Sequence, residues 1–298
     1  MDLHRIELIL PKRGYDRFYS SWLLHDKEKD ISLLVDPGPA STWPQLRDAL
    51  RRIGMVWINM ILLTHVHIDH AGAAGLASNE FGARVAVSPR GIPHLIDPSR
   101  LWEASLKTLG EIAVLFGEPA PVPPDCIMPE ELLSDGLSFV DTPGHASHHR
   151  SYYYDDGEEV VLFVGEAAGV YLEGELPYPC LRPAAPPPFF IDAALESIEK
   201  LTRRECSRIC FPHFGSAEGG AELLAYAKDQ VLLWKDIVLG LLRRGVAPED
   251  YEAFAAEILD RDPFMAAFQN MDPGTLDRER DFLLNSVRGF TEALVKER

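Results

Sequence analysis

The sequence carries little positive charge. Twenty-nine Lys and Arg stand against 46 Asp and Glu, a formal net charge of −17 over 298 residues. No basic cluster goes beyond pairs such as Arg243-Arg244. A nucleic-acid partner needs a basic face to neutralise phosphates, so that class is set aside. Long apolar runs are also missing, and no window approaches the ~18 uninterrupted apolar residues a membrane span requires. The first ten residues hold Asp2, His4, Arg5 and Glu7, without the charged-then-apolar layout of a secretion signal. The four cysteines, Cys126, Cys180, Cys206 and Cys210, fit neither a disulfide framework nor a zinc-finger spacing and read as core or surface thiols. The expected compartment is therefore the cytoplasm. There is no G-x-S-x-G elbow to supply a serine nucleophile, and no internal repeat. What is left is an ordinary globular composition, 46% hydrophobic and 25% charged, in a chain long enough for one sizeable domain and an addition.

Against that background one run stands out: His65-Val66-His67-Ile68-Asp69-His70. It directly follows Asn59-Met60-Ile61-Leu62-Leu63, which reads as a buried strand, with Thr64 opening a loop. In extended backbone alternate side chains point the same way, so His65 and His67 can grip one ion. Asp69 and His70 come as the chain turns and can face a second ion. Imidazole and carboxylate suit zinc or iron rather than calcium. A chance match in a chain of this length is on the order of one in a thousand, which removes the reading as a solvated polar loop. Three further candidates also lie just past strand-like runs: His145 in Asp141-Thr142-Pro143-Gly144-His145, Glu166 after 160–164 and Gly165, and His213 after 209–211. Strand ends hold ligands rigidly while the loops stay free to shape a pocket.

The pattern resembles the metallo-β-lactamase superfamily. The order there is an Asp after an early strand, HxHxDH, a His in a TPGH-like turn, an acid after Gly, and a late His; here these are Asp36, residues 65–70, His145, Glu166 and His213. The resemblance covers roughly residues 1–215. It implies that His65, His67 and His145 hold one metal ion, that Asp69, His70 and His213 hold the other, that Glu166 bridges, and that Asp36 orients the HxHxDH loop from behind. Where the superfamily usually has Asp after that glycine, this chain has Glu166. The extra methylene leaves three arrangements: a bridge with shifted backbone, binding to one ion alone, or a weakly held second ion. A finer resemblance is to a prokaryotic branch of the superfamily with no established substrate, through 142–149, 94–102 and 182–189. It sharpens fold and metal site without naming a substrate.

The remaining elements agree with an α/β (α+β) architecture in four layers, αββα, followed by a C-terminal helical extension. Strands are predicted at 3–10, 18–24, 31–35, 84–87, 137–140, 150–154 and 160–164, with Asp156-Gly157 as a hairpin turn. Helices are predicted at 43–53, 71–81, 99–116 and 192–203, the last capped by Asp192. The proline-rich stretch 117–130 reads as an irregular connection. From about residue 216 the pattern is helix only, so the expected domains are 1–216, catalytic, and 217–298, helical. Three roles suit those helices: a cover on the sandwich core, a wall of the pocket, or a contact in a homodimer. The proline-rich loop 178–190 carries the expected substrate contacts, with Arg182 for a carboxylate and Phe189 and Phe190 as an apolar face. His148 and His149 follow His145 too closely to form a second metal set.

Two divalent ions, zinc first, with iron or manganese also suited to such donors, would bridge a water and lower its pKa toward neutrality. The resulting hydroxide would attack an activated carbonyl in a small molecule, a thioester, lactone or similar ester. Asp69 would orient it or pass its proton to the leaving group. Two other readings compete. The superfamily includes iron-dependent persulfide dioxygenases, which use one iron. A non-catalytic metal-binding protein is the other.

Overall fold

The apolar runs become the inner strands of two five-stranded sheets. The computed structural model describes residues 1–129, 133, 135–173 and 180–296. The first sheet has the order β1 (Asp2–Leu8), β2 (Tyr19–Asp26), β3 (Ile31–Val35), β4 (Met60–Leu62), β5 (Arg84–Ala86). Its first three strands pair antiparallel, and β3, β4 and β5 run parallel. α1 (Trp43–Arg52) connects β3 to β4, while α2 (Ile68–Ala71) and α3 (Ala74–Phe81) connect β4 to β5. α4 (Ile92–Ile96), α5 (Ser99–Leu109) and α6 (Glu111–Phe116) follow. The second sheet contains β6 (Leu137–Asp141), β7 (Arg150–Asp155) and β8 (Val160–Phe163). After a small antiparallel pair, β9 (Val170–Leu172) and β10 (Cys180–Arg182), and helix α7 (Ile191–Leu201), it is completed by β11 (Arg208–Phe211) and β12 (Gly215–Glu218). Its order is β12-β11-β8-β7-β6. Three long elements end the chain: α8 (Ala221–Arg243), α9 (Tyr251–Arg261) and α10 (Pro273–Lys296).

Alternation decides what the sheets bury. Trp22, Leu24, Leu33, Val35, Met60 and Leu62 from the first sheet pack against Tyr152, Tyr154, Val161 and Phe163 of the second. Aromatic polar tips cross the same interface to find partners, as buried polar groups must. Trp22 Nε1 donates to the Phe211 carbonyl at 2.8 Å, and Tyr154 donates to Asp26 Oδ2 at 2.7 Å. The outward faces are covered by helices.

The fold is the four-layer architecture expected, with local corrections. The predicted helix 99–116 is two helices, because Gly110 takes φ +57°, a conformation that favours glycine and ends the first. Asp192 is not the cap of α7. Phe190 precedes the helix, and Asp192 sits in its first turn, where it pairs with Lys235 at 3.1 Å. The stretch after 216 is not helix alone, since β12 pairs antiparallel with β11. Tyr178 and Pro179 of the predicted substrate loop lie outside the described residues.

Candidate metal centre

Five strands deliver the candidate ligands to one edge of the sandwich. β3 and β4 are parallel, so Asp36 and the 64–70 loop emerge at the same end. β6 and β8 are each antiparallel to β7, and β11 is parallel to β8, so His145, Glu166 and His213 also follow strands that end together. Seven of the predicted ligands therefore converge: His65, His67, His145 and Glu166 in one group, and Asp69, His70 and His213 in another, with donor atoms inside each group within 4.8 Å of one another.

The hydrogen bonds decide which nitrogen of each histidine faces inward. Asp36 accepts from the Thr64 amide at 2.8 Å and from the Thr64 hydroxyl at 2.7 Å. With its proton committed to that carboxylate, Thr64 Oγ1 accepts from His65 Nδ1 at 3.0 Å. The lone pair of His65 is thus on Nε2, toward the centre. His145 Nδ1 lies 3.0 Å from the Ala184 carbonyl, which can only accept, so His145 Nε2 also carries an inward lone pair. Both meet His67 Nδ1 at 3.0 Å. One proton on His67 cannot satisfy two lone pairs. A cation can: with metal–nitrogen bonds of about 2.0–2.1 Å, tetrahedral ligand nitrogens stand about 3.3 Å apart, close to what is seen. His70 Nδ1 faces Asp36 at 3.4 Å, leaving its Nε2 buried and without a hydrogen bond among the described residues.

Glu166 stands between the groups. Its Oε2 is 3.0 Å from His145 Nε2, 3.4 Å from His65 Nε2 and 3.3 Å from His70 Nε2; its Oε1 is 3.3 Å from His213 Nε2. Its two oxygens thus reach nitrogens of both groups. Its backbone is latched by His149, whose Nε2 accepts from the Glu166 amide at 3.0 Å. His149 Nδ1 then donates to Thr142, which donates to Ser151, which donates to the Val164 carbonyl. Gly165 beside it adopts φ +58°, and a Cβ there would lie 2.4 Å from His149 Nε2.

Electrostatics separate the groups. Burial drives His65 well below the usual histidine range, and burial together with His145 brings His67 to about 3. Burial also acts on His70, but Asp69, Asp36 and Glu166 outweigh it and hold His70 well above that range. Burial would raise Asp69, yet His70 brings it down to about 2. His65 and His67 therefore offer neutral lone pairs, while His70 is ringed by the carboxylates of Asp69, Asp36 and Glu166, whose favoured guest is positive.

The expected substrate contacts fare differently. Arg182 does hold a carboxylate, but that of Glu279 in this same chain, Nε to Oε2 at 2.6 Å, and it is 2% exposed. Its expected place facing a substrate is corrected accordingly. Phe189 is buried against Phe290, ring centroids 5.0 Å apart. It also lines a cavity of about 10 Å³ behind His145 and Glu166, room for about one water. Phe190 is 49% exposed. His148 lies half-buried near His67 and His94. The sequence reading misses Thr64, Thr142, Ser151 and Tyr19. Tyr19 is buried 5.3 Å from the His213 ring, its hydroxyl without a hydrogen bond among the described residues. No sequence pattern signals them, since their roles depend on contacts with Asp36, Val164 and His213 that only the fold brings together.

Asp36→Asn tests the outer shell of bonds. Asp36 sits at φ +45°, which Asn tolerates, so the fold is kept. An amide nitrogen cannot accept from Thr64, and the His65 tautomer loses its anchor. Metal affinity is expected to fall about 10–100-fold, read by chelator competition. Unchanged affinity would remove Asp36 from the centre.

Residues 14–213 match the family described as the Metallo-beta-lactamase superfamily. A probable metallo-hydrolase of Methanocaldococcus jannaschii is 28% identical over 172 residues, 58% of this chain and 78% of that one. A hydroxyacylglutathione hydrolase of Albidiferax ferrireducens is 28% identical over 196 residues, 64% of this chain and 60% of that one. The crystal structure of a metallo-beta-lactamase family protein from Thermus thermophilus superposes with a TM-score of 0.61 at 20% identity, covering 99% of this chain and 93% of that one.

Proposed function

This chain belongs to the metallo-β-lactamase superfamily, and we propose that it is a hydrolase of a small activated carbonyl compound, a thioester or lactone, with two zinc ions held by the seven converging residues. The observation that carries this reading is the Glu166 carboxylate, within 3.4 Å of nitrogens from both ligand groups. Ions bound there would acidify a water and polarise a carbonyl oxygen.

The protein's own part is orientation and proton handling. Thr64, Asp36 and the Ala184 carbonyl fix imidazole tautomers before any substrate arrives, so no reorganisation is needed during the reaction. Asp69 is 20% exposed at its side chain, the most open carboxylate of the set, which suits it to pass a proton to a departing thiol or alcohol. Tyr19 supplies a buried hydroxyl that burial and the charge of Asp69 keep protonated, with a proton to donate. The net charge of −17 supports a small molecule over nucleic acid. One relative's name, hydroxyacylglutathione hydrolase, supports an acyl substrate. No helix among the described residues is long and apolar enough to cross a membrane.

The test is metal analysis followed by turnover of model thioesters and lactones with zinc or manganese, set beside oxygen consumption with a persulfide and iron. Hydrolysis by the zinc form is expected, and Asp69→Asn should lower it far more than it lowers the melting temperature. Activity of the iron form alone, with oxygen uptake, would replace this reading with the dioxygenase one; metal binding without turnover would favour a non-catalytic protein.

A further inference from the structure

Three candidate ligands are oriented by a polar contact from behind: His65 by a hydrogen bond to Thr64, His145 by one to Ala184, and His70 by Asp36 at 3.4 Å. His213 is not. Its Nδ1 is buried with no hydrogen-bond partner among the described residues. Its ring lies instead against Phe18, centroids 4.6 Å apart and planes 29° from parallel. The Arg278 guanidinium lies 3.8 Å from the centroid of that same Phe18 ring. Two groups so close can share the ring only from opposite faces, so His213, Phe18 and Arg278 form one stack. Arg278 is itself immobilised. It donates to the Gly14 carbonyl and, at 2.9 Å, to Glu279, which also accepts from Arg182. Phe18, Arg278 and Glu279 are all buried. Arg278 lies in α10, well beyond residues 14–213 that match the family.

We infer that Phe18 and Arg278 are positioning residues for His213: the C-terminal helix sets this one ligand of the second group by stacking, where His65 and His145 of the first group are set by hydrogen bonds. This rests on the ligand set proposed above, and it needs no turnover to be tested. A stacked ring keeps its plane but leaves Nδ1 free of a fixed acceptor. The affinity of the second group is therefore tied to the closeness of Arg278 to Phe18, and no residue of the first group belongs to that stack.

The experiment is zinc titration of the full chain against a chromophoric chelator, for the wild type, Phe18→Leu, Phe18→Tyr, Arg278→Gln and the double variant Phe18→Leu with Arg278→Gln. The visible spectrum of the cobalt form and the melting temperature of the metal-free chain accompany each. The wild type is expected to bind two ions. Phe18→Leu should weaken one about tenfold, the size seen when a metal ligand loses its outer support, and leave the other within about twofold. Phe18→Tyr should restore it, and the cobalt spectrum should change for the weakened ion alone. Arg278→Gln should weaken the same ion, and the double variant should lose no more than Phe18→Leu does, because both act through one stack. Equal weakening of both ions, no weakening, or simple addition of the two effects would overturn the inference. Should Arg278→Gln fail to fold, Phe18→Leu and its rescue by Tyr decide alone. One ion per wild-type chain would overturn both this inference and the two-ion reading. Absence of hydrolysis with two ions bound would leave the stack standing and remove only the proposed reaction.

Discussion

Glu166→Ala should strip the chain of at least one of its two metal ions and reduce hydrolysis by more than about 100-fold. Residues that merely support a ligand are worth about 10–100-fold, and Glu166 stands among the ligands themselves. Its two oxygens lie 3.0–3.4 Å from nitrogens of His65, His70, His145 and His213, and no other described carboxylate comes within 4 Å of His65, His145 or His213. Burial alone would raise its pKa, but His145 and His213 outweigh burial and hold it well below the usual carboxylate range, which favours the anion. Glu166→Gln separates charge from shape. It fills the same volume, so melting of the metal-free chain should change little, while metal content falls as in the alanine variant. The measurement is metal per chain by elemental analysis after dialysis. Full metal content in both variants would show that Glu166 is not a ligand.

Gly289→Ala should destabilise the protein although it lies within helix α10, where the exchange ordinarily gains about 1 kcal/mol. A Cβ at this position would stand 1.9 Å from the Ala185 carbonyl oxygen and 3.2 Å from Phe189 Cβ. The first neighbour is backbone and cannot swing aside, so either α10 or the 183–185 segment must move. Overpacking of that kind typically costs about 1–3 kcal/mol, here at the upper end, which outweighs the helix gain and leaves a net loss of about 2 kcal/mol. For a chain of this size the melting temperature should drop by roughly 3 °C. The same segment carries Ala184, whose carbonyl fixes the tautomer of His145. Gly289→Ala should therefore also weaken metal binding, although position 289 lies far from the ligands in sequence. A melting temperature at or above the wild type would mean that the approach of helix to loop is looser than described.

What could be read from the sequence was whatever chemistry repeats over a few residues. The HxHxDH run, the apolar stretch before it and the TPGH turn each announce themselves locally, and the alternation of strands and helices follows from the same short periods. The longer Glu166 side chain was visible too, but its reach was not, because that depends on His149 holding its backbone. Arg182 was recognised as a carboxylate binder, and its partner proved to be Glu279, 97 residues away. Nothing in the Arg182 loop encodes that distance. β9, β10 and β12 escaped notice because strands of three or four residues carry too little alternation to stand out. Phe18 and Arg278 lie at opposite ends of the chain, and only the fold brings them together over His213.

The ligands are divided between the two sheets. His65, His67, Asp69 and His70 hang from β4 of one, and His145, Glu166 and His213 from β6, β8 and β11 of the other. Metal bound between them is thus a rivet across the seam of the sandwich as well as a reagent. By mass action, free metal at a hundred times its dissociation constant adds about 2.7 kcal/mol to folding for each site. That increment would add to the direct bonds that already cross this edge, from the Arg150 amide to the Thr64 carbonyl at 2.8 Å and from the Ser20 amide to the Pro212 carbonyl at 2.9 Å. On the proposed function, metal supply would set the stability of the chain as well as its rate of turnover.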